Sequence, residues 1–127
     1  MHNADFLKNL LKRHPRMIID FNTLPLNIAA NFKGGEKEYK SRRYEDENNK
    51  IMLGTLEPGA SIGYHSHETN SEIMYFLEGE ATVLTDEGEE HLLPGQAHYC
   101  PKGHSHSLIN RGDKPLVLLA VVPEHHL

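Results

Sequence analysis

The sequence predicts an all-β domain, a sandwich or barrel of short strands, carrying a short N-terminal helix. Two observations predict this. From Met17 onward the apolar residues fall in short, mostly alternating runs, and Gly, Pro, Asn and Asp punctuate those runs at spacings of about 8 to 12 residues. Upstream of Met17 the period is different, with apolar residues at helical spacing. A chain of 127 residues is long enough to bury most of its apolar surface in one ordinary domain, without disulfides or a structural metal.

Taken in order, the first element is the helical segment. Asn3 or Asp5 caps it, Phe6, Leu7, Leu10 and Leu11 form one apolar stripe opposed by Lys8, Asn9 and Lys12, and Pro15 ends it. Residues 1–16 are therefore expected to be helical, packed on the outside of the domain or at a dimer contact, and residues 17–127 to form a single β domain. The strand-like runs are MIIDF, LNIAANF, KEYKSRRYE, KIMLGTLE, SIGYHSH, EIMYFLEG, EATVLTD, EEHLLP, QAHYCP, SHSLIN and PLVLLAVV. Between them DENN, EPGA, EGE, DEGE and NRGDKP supply turn residues. The tripeptide Arg111-Gly112-Asp113 reads as a hairpin turn rather than an adhesion signal. No linker, internal repeat or low-complexity stretch interrupts the pattern.

Composition excludes several function classes. The formal net charge is −5 and the acidic residues are dispersed, so the chain has no electrostatic footprint for nucleic acid. No apolar run approaches the roughly 20 residues that span a bilayer, so no membrane partner is expected. The N-terminus lacks the order of a secretory signal, and the single cysteine, Cys100, has no internal partner; a cytoplasmic, soluble protein is expected. Next to Pro101, Cys100 is expected to be a small buried apolar residue.

The chemistry concentrates in two stretches. In PGASIGYHSHETNSEIMYFLEG, His65 and His67 alternate, so an extended strand presents both on one face, and Glu72 can join them from the next strand. Two imidazoles and a carboxylate converging on one point make an incomplete metal site. The second stretch, PGQAHYCPKGHSHSLINRG, again alternates histidines, at His104 and His106. As spacings, the first is Gly59-x5-His65-x-His67-x4-Glu72-x6-Gly79. The second is Gly95-x5-Pro101-x-Gly103-x2-His106-x3-Asn110.

These ten positions match both motifs of the cupin superfamily, which the chain resembles from Gly59 through Asn110. The resemblance implies a double-stranded β-helix, or jelly-roll, barrel. It also implies that His65, His67, Glu72 and His106 are the ligands of one metal, and the short spacing between the motifs resembles that of compact single-barrel cupins. Many small cupins are dimers, and a homodimer is expected here.

Three neutral imidazoles and one carboxylate suit a divalent transition metal, Mn, Fe, Ni, Zn or Cu, better than Ca or Mg. Six-coordination would leave two positions open for a small-molecule ligand, whereas tetrahedral zinc would be closed and structural. Strand parity then predicts the pocket wall: Met74 and Phe76 should face inward with Glu72, and Leu108 with His106. His104 is expected near the mouth, as a loop histidine or an additional ligand or acid/base. Tyr39, Arg42, Arg43 and Tyr44 lie on an earlier strand from which one parity set can reach the mouth, where an arginine would pair with a substrate carboxylate or phosphate. His91 and His98 hold no motif position and are expected to be exposed, His125 and His126 to lie in a mobile tail. A metalloenzyme of dioxygenase, decarboxylase or isomerase type, acting on a small organic acid or sugar-like substrate, is the function expected first. A non-catalytic binding or sensing protein is the alternative. The general acid or base is not identifiable in the sequence.

Overall fold

The computed structural model describes residues 17–126. The expected N-terminal helix lies outside the described residues. Every predicted run except the first contains a strand. These are β1 (Leu26–Ala30), β2 (Glu38–Glu45), β3 (Asn49–Leu56), β4 (Ser61–Ser66), β5 (Glu72–Glu78), β6 (Ala81–Thr85), β7 (Gly88–Leu92), β8 (Ala97–Cys100), β9 (Ser105–Ile109) and β10 (Leu116–Pro123). MIIDF does not extend a strand. Its Asp20 carboxylate accepts from the Asn22 amide at 3.0 Å and its carbonyl from the Thr23 amide at 3.1 Å, which closes a turn and leaves Met17 and Ile18 on the surface.

The strands form two antiparallel sheets. One has six strands in the order β1-β2-β3-β10-β5-β8; the other has four, β4-β9-β6-β7. The core lies between them and is built from alternate residues: Met74 and Phe76 of β5, Leu116, Leu118 and Ala120 of β10, Met52 and Leu56 of β3, Val83 of β6 and Leu108 of β9. This is the two-layer architecture that the alternating pattern demands, because each sheet buries one face and the inner faces must meet.

The turns use the residues the sequence supplied. The Asp46 carboxylate accepts from the Asn48 and Asn49 amides, both at 2.8 Å, and sets the β2–β3 hairpin. The Arg111-Gly112-Asp113 stretch is not a hairpin turn, because β9 and β10 belong to different sheets. It is a crossing between layers organised by buried Asn110, whose Nδ2 donates to the carbonyls of Leu56 and Lys114 at 2.9 and 2.8 Å and whose Oδ1 accepts from the Gly112 amide at 3.0 Å.

A candidate metal centre beneath a cationic cavity

The inner face of the four-stranded sheet and the start of β5 bring four side chains together at one end of the core. His65 comes from β4, His67 from the residue just beyond it, His106 from β9 opposite His65, and Glu72 opens β5 in the facing sheet. A register shift between Ile62 and His65 in the β4–β9 pairing puts Ile62 and His65, an odd number of residues apart, on the same side. Two backbone hydrogen bonds clamp His67 to the turn before β9: its amide donates to the His104 carbonyl at 3.0 Å, and its carbonyl accepts from the Gly103 amide at 2.6 Å.

The donor atoms of His65, His67, Glu72 and His106 lie within 4.8 Å of one another. Nε2 of His67 is 3.0 Å from Nε2 of His106, and Glu72 Oε1 is 3.2 and 3.0 Å from these two nitrogens. Donors held at right angles by one cation at about 2.1 Å stand about 3.0 Å apart, against about 3.4 Å at the tetrahedral angle. The three short edges, among His67, His106 and Glu72, are compatible with one shared cation.

The outer hydrogen bonds of the rings say which nitrogen is available. His65 Nδ1 faces the Gly63 carbonyl at 2.7 Å, and a carbonyl only accepts, so Nδ1 carries the proton and Nε2 a lone pair. His67 Nδ1 donates to Asn70 Oδ1, while Asn70 Nδ2 donates to Glu124 Oε2 at 2.9 Å, which fixes the orientation of the amide. Nε2 of His65 and of His67 therefore present lone pairs toward Glu72 and His106, an arrangement that a shared proton or a metal ion satisfies. This donor set, three imidazole nitrogens and one carboxylate oxygen, fits a divalent transition metal.

Electrostatics agree. Burial pushes the Glu72 carboxyl up, but the contacts with the His106 and His67 rings, which donate to the carboxylate when protonated, outweigh it and hold the group at about 2. Burial lowers His65, keeping it neutral and able to ligate. Burial also lowers His67, yet the Glu72 and Asn70 hydrogen bonds win and its pKa is raised, so a proton competes with a metal there.

Above the cluster opens a cavity of about 130 Å³ lined by His65, His67 and Glu72, by apolar Phe32, Met52, Ile62 and Val122, and by Lys33, Arg43 and Lys50. Of the pair singled out on β2, Arg43 lines the cavity together with Tyr39, while Arg42 turns away to the Leu24 carbonyl. Met74, Phe76 and Leu108 are buried in the core and are not among the cavity-lining residues. His104 is 3.1 Å from Asp86 on the outer side of its turn, over a separate shallow depression.

Three histidines depart from expectation. His98 is buried, not exposed: β8 points it inward, 4% exposed, with Nδ1 2.9 Å from Glu90 Oε1 and Nε2 3.0 Å from His106 Nδ1. The signal was present in QAHYCP, where parity puts His98 on the face of Cys100, a residue already read as buried. His98, Cys100 and His106 form a second set of donors within 4.8 Å. The tail is also anchored rather than loose. His125 Nε2 meets Ser71 Oγ at 2.9 Å, His126 Nε2 meets Asn48 Oδ1 at 3.0 Å, and Glu124 accepts from Thr69 Oγ1 at 2.7 Å as well as from Asn70. His91, by contrast, is exposed beside Glu89.

Two layered antiparallel sheets with histidines and a carboxylate converging at one end define a cupin, and a family profile described as the cupin domain matches residues 52–122. The chain belongs to the cupin family. An oxalate-binding protein of Thermotoga maritima is 32% identical over 119 residues, covering 88% of this chain and 98% of that protein. The oxalate decarboxylase OxdC of Bacillus subtilis is 34% identical over 79 residues, 58% of this chain but 20% of that protein. Among solved structures, a predicted oxalate decarboxylase of Thermotoga maritima superposes with a TM-score of 0.80 at 26% identity, covering 85% of this chain and 99% of that one.

Proposed function

We propose that His65, His67, Glu72 and His106 hold one divalent transition metal, and that the centre chelates a small organic acid of the oxalate class. The observation that carries this reading is the charge of the cavity. Lys33, Arg43 and Lys50 line the same space as the ligand set, in a chain whose formal net charge is −5. A divalent cation with one carboxylate ligand is itself near +1, so the pocket gathers positive charge where the rest of the surface is acidic, and an anion is drawn to it.

When bound, the metal supplies Lewis acidity and two-point chelation of a carboxylate. The protein supplies the rest. Arg43 presents a planar fork to carboxylate oxygens, Lys33 and Lys50 add point charges, and the apolar wall limits water. The similarity along nearly the whole length of an oxalate-binding protein supports this substrate class.

Binding, rather than turnover, is the reading the geometry favours. Among the described residues lining the cavity, Glu72 is the one carboxylate, and it is taken up in the ligand set. Burial pushes the Tyr39 hydroxyl far up, so it stays protonated and is no base. A second reading, a decarboxylase-type or other turnover enzyme, is favoured by the 79-residue similarity to oxalate decarboxylase. A second copy of the chain is the proposed protein partner.

Elemental analysis of protein purified without added metal should find about one transition-metal ion per chain. His106→Ala should lose it, with a fall in affinity beyond the ~10–100-fold that an outer hydrogen-bond partner costs. Unchanged metal content in that variant would sink the assignment. Incubating the loaded protein with oxalate and measuring formate and carbon dioxide separates the two readings: sustained release favours the enzyme, saturable binding without release the binding protein.

A further inference from the structure

Of the three histidines in the cluster, His65 and His67 have their tautomers fixed by oxygen acceptors, the Gly63 carbonyl and Asn70 Oδ1. His106 lies between two partners: its Nδ1 faces a ring nitrogen, His98 Nε2, at 3.0 Å, and its Nε2 faces Glu72 Oε1, also at 3.0 Å. A contact between two imidazole nitrogens has two solutions. Either His106 donates and its Nε2 is left with a lone pair, or His98 donates and the His106 proton sits on Nε2, pointing into the ligand cluster.

Glu72 Oε1 pulls the His106 proton toward Nε2, and the residue that opposes it, through His98, is Glu90. Its carboxylate lies 2.9 Å from His98 Nδ1 and can only accept, so the His98 proton belongs on Nδ1 and its Nε2 becomes the acceptor. His98 and His106 are nearly fully buried, and their rings stack at 5.2 Å with 29° between planes, so neither ring can flip without breaking the packing. Glu90, on the exposed strand β7, thus dictates a proton position two rings further in. We propose that His98, oriented by Glu90, is a positioning residue that holds His106 as its Nδ1–H tautomer and keeps His106 Nε2 open for the metal. The role rests on the reading of the four-residue cluster as a metal centre, while the tautomer is read in metal-free protein, where Glu72 Oε1 competes for the His106 proton and His98 with Glu90 holds it on Nδ1. It also accounts for the second donor set, His98, Cys100 and His106, as a hydrogen-bonded pair beside a thiol that burial pushes up to about 11.

The test uses nitrogen-15 NMR of the histidine side chains in metal-free protein at neutral pH, together with Co²⁺ affinity by competition. In the parent protein, His106 should show a protonated Nδ1 and a lone pair on Nε2; a proton on Nε2 overturns the proposal. His98→Leu removes the acceptor and should give mixed His106 tautomers with a ~10–100-fold loss of Co²⁺ affinity. His98→Gln, whose side-chain carbonyl reaches to the place of Nε2, should restore the parent tautomer and bring affinity back to within several-fold. His98→Leu folding normally with the parent spectrum and affinity, or His98→Gln failing to rescue, counts against it. If His98→Leu does not fold, the parent spectrum and His98→Gln decide. A parent protein with the expected tautomer and no Co²⁺ binding overturns the metal reading and leaves the hydrogen-bond assignment standing.

Discussion

Glu72 is where competing terms are largest. It is 8% exposed, which by itself disfavours the charged form, yet its contacts with two imidazoles, which donate to it once protonated, hold its carboxyl at about 2. Because the folded-state value lies below the ordinary 4.5, the carboxylate stabilises the fold above about pH 4.5, and that contribution is lost as the pH falls toward 2. Acid unfolding of metal-free protein should therefore show a loss of up to a few kcal/mol across that window, and Glu72→Gln should flatten it. An identical acid limb in the variant would mean that other groups govern it. Glu72 and its histidines were legible because the residues that make the site sit in fixed local spacings. The burial of His98 was readable from its parity with Cys100, but its pairing with His106 was not, since that is set by the β4–β9 and β5–β8 pairings rather than by sequence distance. Asn70 and Glu124, the outer partners of His67, are joined across 54 residues and carry no local signature at all.

At the scale of elements, the cavity wall depends on how closely the Phe32–Gly34 turn approaches β4. A Cβ at Gly63 would stand 2.0 Å from the Lys33 carbonyl oxygen, and one at Gly35 would stand 2.1 Å from that of Ser61. Two backbones touch there because both positions lack a side chain. The contact seats Lys33 over the cavity and sets the Gly63 carbonyl that orients His65. Gly63→Ala should push the turn outward, cost about 1–3 kcal/mol in overpacking, and weaken anion binding more than metal binding. Thermal unfolding and paired metal and oxalate titrations check this; unchanged unfolding would show that the turn yields freely. Strands from Leu26 onward were readable from alternation and turn residues, whereas upstream the expected MIIDF strand failed because local capping at Asp20 won. How the strands divide between two sheets was not readable from alternation, because the pattern marks which face is buried and not which neighbour is paired; the β9–β10 crossing was misjudged for that reason.

At the scale of the molecule, the outer face of the six-stranded sheet carries more apolar surface than a solvated face needs. Across β3, β10, β5 and β8 the paired rows read Ile51, Val121, Ile73 and Tyr99, then Leu53, Leu119, Tyr75 and Ala97, with Ile73, Tyr75 and Tyr99 each over 40% exposed. We propose that a second copy of the chain covers this contiguous apolar face. Sedimentation should give a dimer, and Tyr75→Glu should give a monomer that still binds metal, because Tyr75 points away from the cluster. A parent protein that sediments as a monomer would contradict the interface. No helix among the described residues is long and apolar enough to cross a membrane. The claim that joins all three scales is that the four-residue cluster and the cationic cavity act as one anion-chelating centre. Calorimetric titration of oxalate into Mn²⁺-loaded protein, with metal-stripped protein alongside, tests it most directly. The account predicts saturable binding of one oxalate per chain in the loaded protein and none in the stripped protein; equal binding in both, or none in either, would contradict it.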